Sequence, residues 1–292
     1  MRDTPGSGRH TEPRAVRRVS STGLSLSVRE YGESGDRAGV GHVVLVHGYP
    51  DSQDMWRAVV DRLCAGGDLH VVTYDVRGAG ASDVPADASG YRIELLVDDL
   101  VAVLDATVPR KAPVHLVGHD WGSVQLWEAV LSERDDPRLK GRIASFTSVS
   151  GPAIDHISYL AKNPRGRGLR LLRQMGHSWY VFAFQMPVVP ELVWRAAAGV
   201  RPRLAHDAAN GVNLYRANLL GGSRRPAGRR TDVPVLVVAP RRDPFLTAVV
   251  TEDLDHLCSD VTVVRPDTGH WLPRTHPDLL AELVRQHALA HA

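Results

Sequence analysis

Cysteine is scarce in this 292-residue chain, which holds only Cys64 and Cys258, far apart and each in a region that reads as helical. Two distant thiols make neither a disulfide framework nor a zinc ribbon. Lysine is scarcer than its partner base: Lys111, Lys140 and Lys162 are the whole complement, and arginine carries the rest of the positive charge, a pattern of coding bias more than of binding. Lys+Arg 35 against Asp+Glu 33 leaves +2, too balanced to suggest a nucleic-acid or membrane-surface protein. No apolar run reaches the length of a membrane span, and the polar, Arg-rich start lacks the apolar stretch of a secretory leader. A cytoplasmic protein with no membrane span and no nucleic-acid partner is the expectation; a homodimer is compatible with it.

What is present is an ordinary globular composition, 43% hydrophobic and 23% charged, enough for a sizeable core. Residues 1–16 carry Pro, Gly and charge without period and are expected to form a disordered tail. The stretch 18–32 alternates on either side of a turn signal, as a hairpin does. Apolar runs of strand length follow at 42–48, 70–75, 113–119, 143–149, 234–240 and 261–266, rich in β-branched residues and apolar on both faces. Strands of a covered parallel sheet must be so. Between them, Leu96, Leu100, Val103 and Leu104 share a helical face, as do Val124, Trp127 and Leu131, and Leu279, Leu280, Leu283 and Val284. The expected fold is α/β: a mostly parallel sheet of about eight strands.

The alternation stops between 152 and 231, where helical patches rich in Trp, Tyr, Phe, Met, Arg and Pro replace strands. A helical insertion there would lie over the sheet as a cap. That divides the chain into a core of 17–151 and 232–292 and a cap of 152–231. The segment SRRPAGRR (223–230) is the return linker and reads as a solvated loop.

The strongest local signal is LVGHDWGS at 116–123. A strand runs into Gly118-His119-Asp120-Trp121-Gly122 and then into an amphipathic helix. Small residues two before and two after Asp120 permit a sharp turn that lifts its side chain above the sheet, the setting of a nucleophile elbow. An Asp in that place also suits a helix cap. Its partners tell more: Asp243 follows the strand at 234–240, and His270 follows the strand at 261–266. Nucleophile, acid and base then stand in that order, each at the carboxyl end of a strand, where open α/β sheets bind ligands. The loop after 42–46 reads His47-Gly48-Tyr49-Pro50, and the amides of Tyr49 and Trp121 are the expected oxyanion-hole donors. His47 and Pro50 are expected to shape that loop. His115 and His119 are four apart but on a strand and its turn, so no metal pair is expected.

With HGYP (47–50), DVRGAGASD (75–83), GHDWG (118–122), Asp243 and TGHW (268–271), the sequence from about residue 20 onward resembles the α/β-hydrolase-fold epoxide hydrolases. Most of these motifs are shared with haloalkane and fluoroacetate dehalogenases. The resemblance implies two cap tyrosines that hold and protonate an epoxide oxygen. WYVFAFQMP (179–187) supplies Tyr180 and NLYRAN (213–218) supplies Tyr215. The run from 178 to 195 also looks like the hydrolase half of bacterial proteins fused to a short-chain dehydrogenase. No GxGxxG fingerprint is found, so no such second half is expected here. Ser123 stands where the family commonly has Gly or Ala, and Arg241 and Arg242 flank Asp243 with charges that favour its ionised form.

What the resemblance implies is conversion of an apolar epoxide and water to a vicinal diol through an Asp120 ester, with no metal or organic cofactor. Trp179, Phe182, Phe184 and Met186, with Met175, are the candidate lining of an apolar substrate pocket. Two rivals stand beside it. A dehalogenase needs halide donors, which Trp121 and Trp179 offer, but Tyr49 replaces the Asn many haloalkane dehalogenases carry, and the fluoroacetate enzymes' Arg pair is missing. A hydrolase-fold binding protein with little turnover is the other, and the complete triad argues against it.

Overall fold

The computed structural model describes residues 10–37, 39–196, 199, 202–219 and 228–292. Eight strands form one sheet: β1 (Ala15–Ser21), β2 (Leu24–Gly32), β3 (Gly41–Val46), β4 (Leu69–Tyr74), β5 (Val114–His119), β6 (Ile143–Val149), β7 (Val235–Val238) and β8 (Val261–Val264). Their spatial order is β1-β2-β4-β3-β5-β6-β7-β8. The hairpin β1–β2 joins β4 antiparallel, and every pairing from β4 to β8 is parallel. Successive residues of a strand face opposite layers. Val43 and Leu45 therefore pack with Trp56, Leu63, Leu280 and Val284, while Val44 and Val46 pack with Leu96, Leu100, Leu126 and Trp127.

Helices α1 (Arg57–Cys64), α9 (Leu272–Thr275) and α10 (Pro277–Ala290) cover the first layer. Helices α2 (Ile93–Thr107) and α3 (Trp121–Ser132) cover the second. Among the described residues, five helices lie between β6 and β7: α4 (Ile154–Lys162), α5 (Gly168–His177), α6 (Trp179–Ala183), α7 (Val189–Ala196) and α8 (Pro202–Asn218). Tyr180, Phe184 and Tyr215 of this segment join the apolar cluster that includes Trp121 at the carboxyl ends of the strands.

Three expectations need correction. The tail is shorter than 1–16: residues 1–9 lie outside the described residues, but the Thr11 amide donates to Asp61 Oδ1 at 2.6 Å and β1 begins at Ala15. Fifty residues separate those partners, so no local pattern announces the bond. Cys258 is not helical; it sits in an isolated parallel bridge with Thr231. Residues 223–227 of the return linker lie outside the described residues, but Arg229 is not solvated. Its guanidinium reaches Glu128 of α3 at 2.6 Å and Asp155 of α4 at 3.0 Å, tying the inserted helices to the core. Among the described residues no helix is long and apolar enough to cross a membrane.

Candidate active site

Asp120 sits between β5 and α3 with φ 53° and ψ −122°, in the left-handed half of backbone space that only a tightly held non-glycine residue occupies. Its side chain makes no capping bond to α3. The turn is possible because the neighbours are small. A Cβ on Gly122 would stand 2.1 Å from the Val46 carbonyl oxygen, and one on Gly48 would stand 2.5 Å from Asp120 Oδ1. Side chains at either place would push the elbow off the sheet.

The lack of a Cβ at Gly48 lets the loop after β3 close on the carboxylate. The Tyr49 amide donates to Asp120 Oδ1 at 2.7 Å. His47 fixes that loop: its Nε2 accepts from the Val76 amide at 2.9 Å, so its Nδ1 carries the proton toward the Gly48 carbonyl at 3.0 Å. The DVRGAGASD motif braces the same loop from outside. Asp75 accepts from the Gln53 amide and its side-chain Nε2, both at 2.8 Å. Arg77 forms a fully buried two-bond pair with Asp99 at 2.7 and 2.6 Å.

On the other side stand Asp243 and His270, the candidate acid and base. His270 Nδ1 donates to Asp243 Oδ2 at 2.8 Å, and Asp243 Oδ1 accepts from the amides of Phe245 and Leu246 at 2.8 and 3.1 Å. With Nδ1 so engaged, His270 Nε2 is the free ring nitrogen, and it faces Asp120 Oδ2 at 3.8 Å. Burial alone would raise the Asp243 pKa, but its bond to His270, that ring's charge and the two amides hold it below the usual carboxylate range. The flanking arginines are not the cause: Arg242 pairs with Asp267, and Arg241 is exposed.

Burial pushes the Asp120 carboxyl up to about 6, against the opposing pull of the His270 charge and the amides of Trp121 and Tyr49. His270 moves up as well: burial opposes its charge, but the bond to Asp243 and the charges of Asp120 and Asp243 outweigh burial. Each group thus draws the other toward its charged form.

Tyr180 and Tyr215 converge on this pair. The Tyr215 ring lies edge-on to Trp121 at 5.0 Å, Tyr49 at 5.4 Å and Phe184 at 4.9 Å, and Tyr180 lies 5.9 Å from Tyr215. Burial, then the Asp120 charge, raises both phenols well above their ordinary pKa, so both remain proton donors.

The structure divides the candidate pocket lining. Phe184 packs against Tyr49 and Tyr180. Trp179, Phe182 and Met186 are instead 68%, 55% and 45% exposed, and Met175 is exposed too. Helix phase explains the split: Tyr180 and Phe184 are four apart and face inward, so Trp179 and Phe182, three apart, face out. A cavity of about 280 Å³ lies against Asp243, but it is lined by Ser150, Gly151, Arg173, His177 and Leu246, and by neither Asp120 nor the tyrosines.

Sequence reasoning missed three supports. His119 Nε2 donates to the His270 carbonyl at 2.9 Å, and burial holds that imidazole neutral, its pKa pushed down to about 3. Arg274 pairs with Asp51, linking the loop after β3 to α9 just after His270. Ser123 Oγ donates to the Gly151 carbonyl at 2.7 Å, which accounts for a hydroxyl where a smaller residue is usual. His119 and Ser123 lie inside the elbow motif and left a sequence signal; the Arg274–Asp51 pair left none.

A family model described as alpha/beta hydrolase fold matches residues 41–277. The chain is 36% identical over 276 residues to a Mycobacterium tuberculosis protein named probable oxidoreductase EphD, a match covering 84% of this chain and 45% of that protein. The chain therefore spans about half the length of that relative. Epoxide hydrolase A of the same organism is 30% identical over 257 residues, covering 84% of this chain and 69% of the relative. Among solved structures, an epoxide hydrolase from metagenomes of hot environments superposes with a TM-score of 0.76 at 24% identity, covering 95% of this chain and 99% of the other.

Proposed function

We propose that this chain, which belongs to the α/β-hydrolase fold family, hydrolyses a small apolar epoxide to a vicinal diol through an ester on Asp120. The observation that carries the reading is the unequal environment of the two Asp120 oxygens: Oδ1 lies against the Tyr49 amide, and Oδ2 faces the free nitrogen of His270.

In the first step Oδ2 attacks an epoxide carbon, and the carbon–oxygen bond of the ring breaks. Tyr180 and Tyr215 hydrogen-bond the ring oxygen, and one of them gives it a proton. In the second step His270 Nε2 takes a proton from water, whose oxygen attacks Cγ of Asp120. The charge that develops on Oδ1 falls on the amides of Tyr49 and Trp121, where one donor typically contributes about 3 kcal/mol. Cγ–Oδ2 then breaks, the diol leaves with the proton held by His270, and the second water proton returns to the phenolate. Asp243 holds the ring orientation and its charge. Water is the only co-reactant, and the product is a vicinal diol.

The free thiols Cys64 and Cys258, both pushed above their ordinary pKa by burial, fit a reducing cytoplasmic setting. The test of the reading is direct: incubate the protein with styrene oxide and follow diol formation by mass. Diol formation that disappears in Asp120→Asn supports it; an inert protein across a panel of aryl and alkyl epoxides overturns it.

A further inference from the structure

We infer that the outer face of the inserted helices docks on an anionic lipid membrane. Among the described residues, ten of the sixteen exposed large apolar side chains fall within residues 169–193. Leu169 is 81% exposed, Leu172 63%, Trp179 68% and Val193 63%. Their spacing is ordered. Leu169, Leu172 and Met175 form one stripe of α5, Trp179 and Phe182 one side of α6, and Val189, Leu192 and Val193 one side of α7. Isolated apolar residues on a surface need no explanation, but a concentration of this kind marks a surface that something covers.

Charge identifies the covering surface. Residues 154–218 hold nine Lys and Arg against three Asp and Glu, a net +6 in a chain whose total is only +2. The rest of the chain is therefore acidic, and the near-neutral sum conceals a basic segment. The three acids are not available on the surface to balance it: Asp155 pairs with Arg229, Glu191 with Arg216, and Asp207 is buried. Lys162, Arg173 and Arg203 are exposed and form no salt bridge among the described residues. Apolar stripes carrying Trp, Phe and Leu, flanked by the unpaired Lys162, Arg173 and Arg203, with Arg165, Arg167 and Arg170 held by Glu252 and Asp253 beside them, have the composition of a face that lies in an anionic bilayer interface. A second copy is the wrong occupant, because joining two such faces brings the unpaired Lys162, Arg173 and Arg203 of one against those of the other.

The placement also serves the chemistry. α6 turns Tyr180 toward Asp120 and Trp179 outward, so the docked face is one helix thickness from the site. Docking itself does not depend on the epoxide reading and can hold if that reading fails.

The test is co-sedimentation of the full chain with vesicles of phosphatidylcholine, with and without phosphatidylglycerol, at low and high salt. Binding to the anionic vesicles, lost with salt, is expected, with a blue shift of tryptophan emission that Trp179→Phe removes. Leu172→Ser should weaken vesicle binding about tenfold, and Arg173→Gln about fivefold. Both positions are exposed, so unchanged melting temperatures verify that the variants fold. Three results overturn the proposal: no binding to anionic vesicles at low salt, full binding by the Leu172 variant, or lipid-free self-association that Leu172→Ser abolishes. The last would assign the face to a protein partner.

Discussion

His270 Nε2 and Asp120 Oδ2 face each other at 3.8 Å, each favouring the other's charged form. In the proposed reaction this coupling makes the first step prepare the second. Once Oδ2 is esterified, the Asp120 charge that helps hold a proton on His270 is gone, the imidazole pKa falls, and the ring becomes a base when a base is needed.

The same coupling has a sign that pH can test. Ester formation uses the Asp120 carboxylate, so its rate should fall as pH drops through about 6. His270 lowers that pKa, so in His270→Gln the midpoint for ester formation should move upward. Stopped-flow ester formation against pH measures it. A midpoint that stays in place or moves down contradicts the pairing.

Tyr180→Phe and Tyr215→Phe each remove one of the donors proposed for the ring oxygen. Each should slow epoxide opening, mainly in kcat, by about 10²-fold, and the double variant should be nearly inactive on epoxides. Ester formation from an alkyl halide needs no proton at the leaving atom and should suffer less. Steady-state kinetics on both substrates decide it; equal losses on both would mean the tyrosines only support the packing.

Arg77 and Asp99 form an ion pair with both side chains 1% exposed. Asp99→Leu leaves the guanidinium buried without its counter-charge and should cost about 3–5 kcal/mol. Urea unfolding measures this. An Arg77→Met, Asp99→Leu double variant should recover part of the loss, since it removes both charges. A loss below about 1 kcal/mol in the single variant would show that water or relaxation compensates Arg77.

The sheet was legible because each central strand is apolar on both faces, and β3 to β8 appear where those runs lie. The elbow was legible because its geometry requires small residues at 118 and 122, a local constraint. What depends on distant partners was not. The Thr11–Asp61 bond, the Thr231–Cys258 bridge and the Arg229 clamp each join residues that no short window contains. The exposed face of α6 is a different case. The spacing of Trp179 and Phe182 against Tyr180 and Phe184 is present in the sequence, but aromatic content alone does not tell which of these side chains line a pocket and which face out. Whole-chain charge is blind in a similar way, because summing a basic segment with an acidic remainder conceals both.

The measurement that tests the central claim most directly follows the oxygen of water. In the proposed two-step reaction water attacks Cγ of Asp120, so a single turnover in heavy-oxygen water should label the Asp120 carboxylate and leave the first-formed diol unlabelled. His270→Gln keeps the nucleophile and loses the base, so it should accumulate protein heavier by one intact epoxide, with the mass on the peptide carrying Asp120. Label appearing at once in the diol, with neither label nor adduct on Asp120, would show that Asp120 only activates water and would contradict the ester.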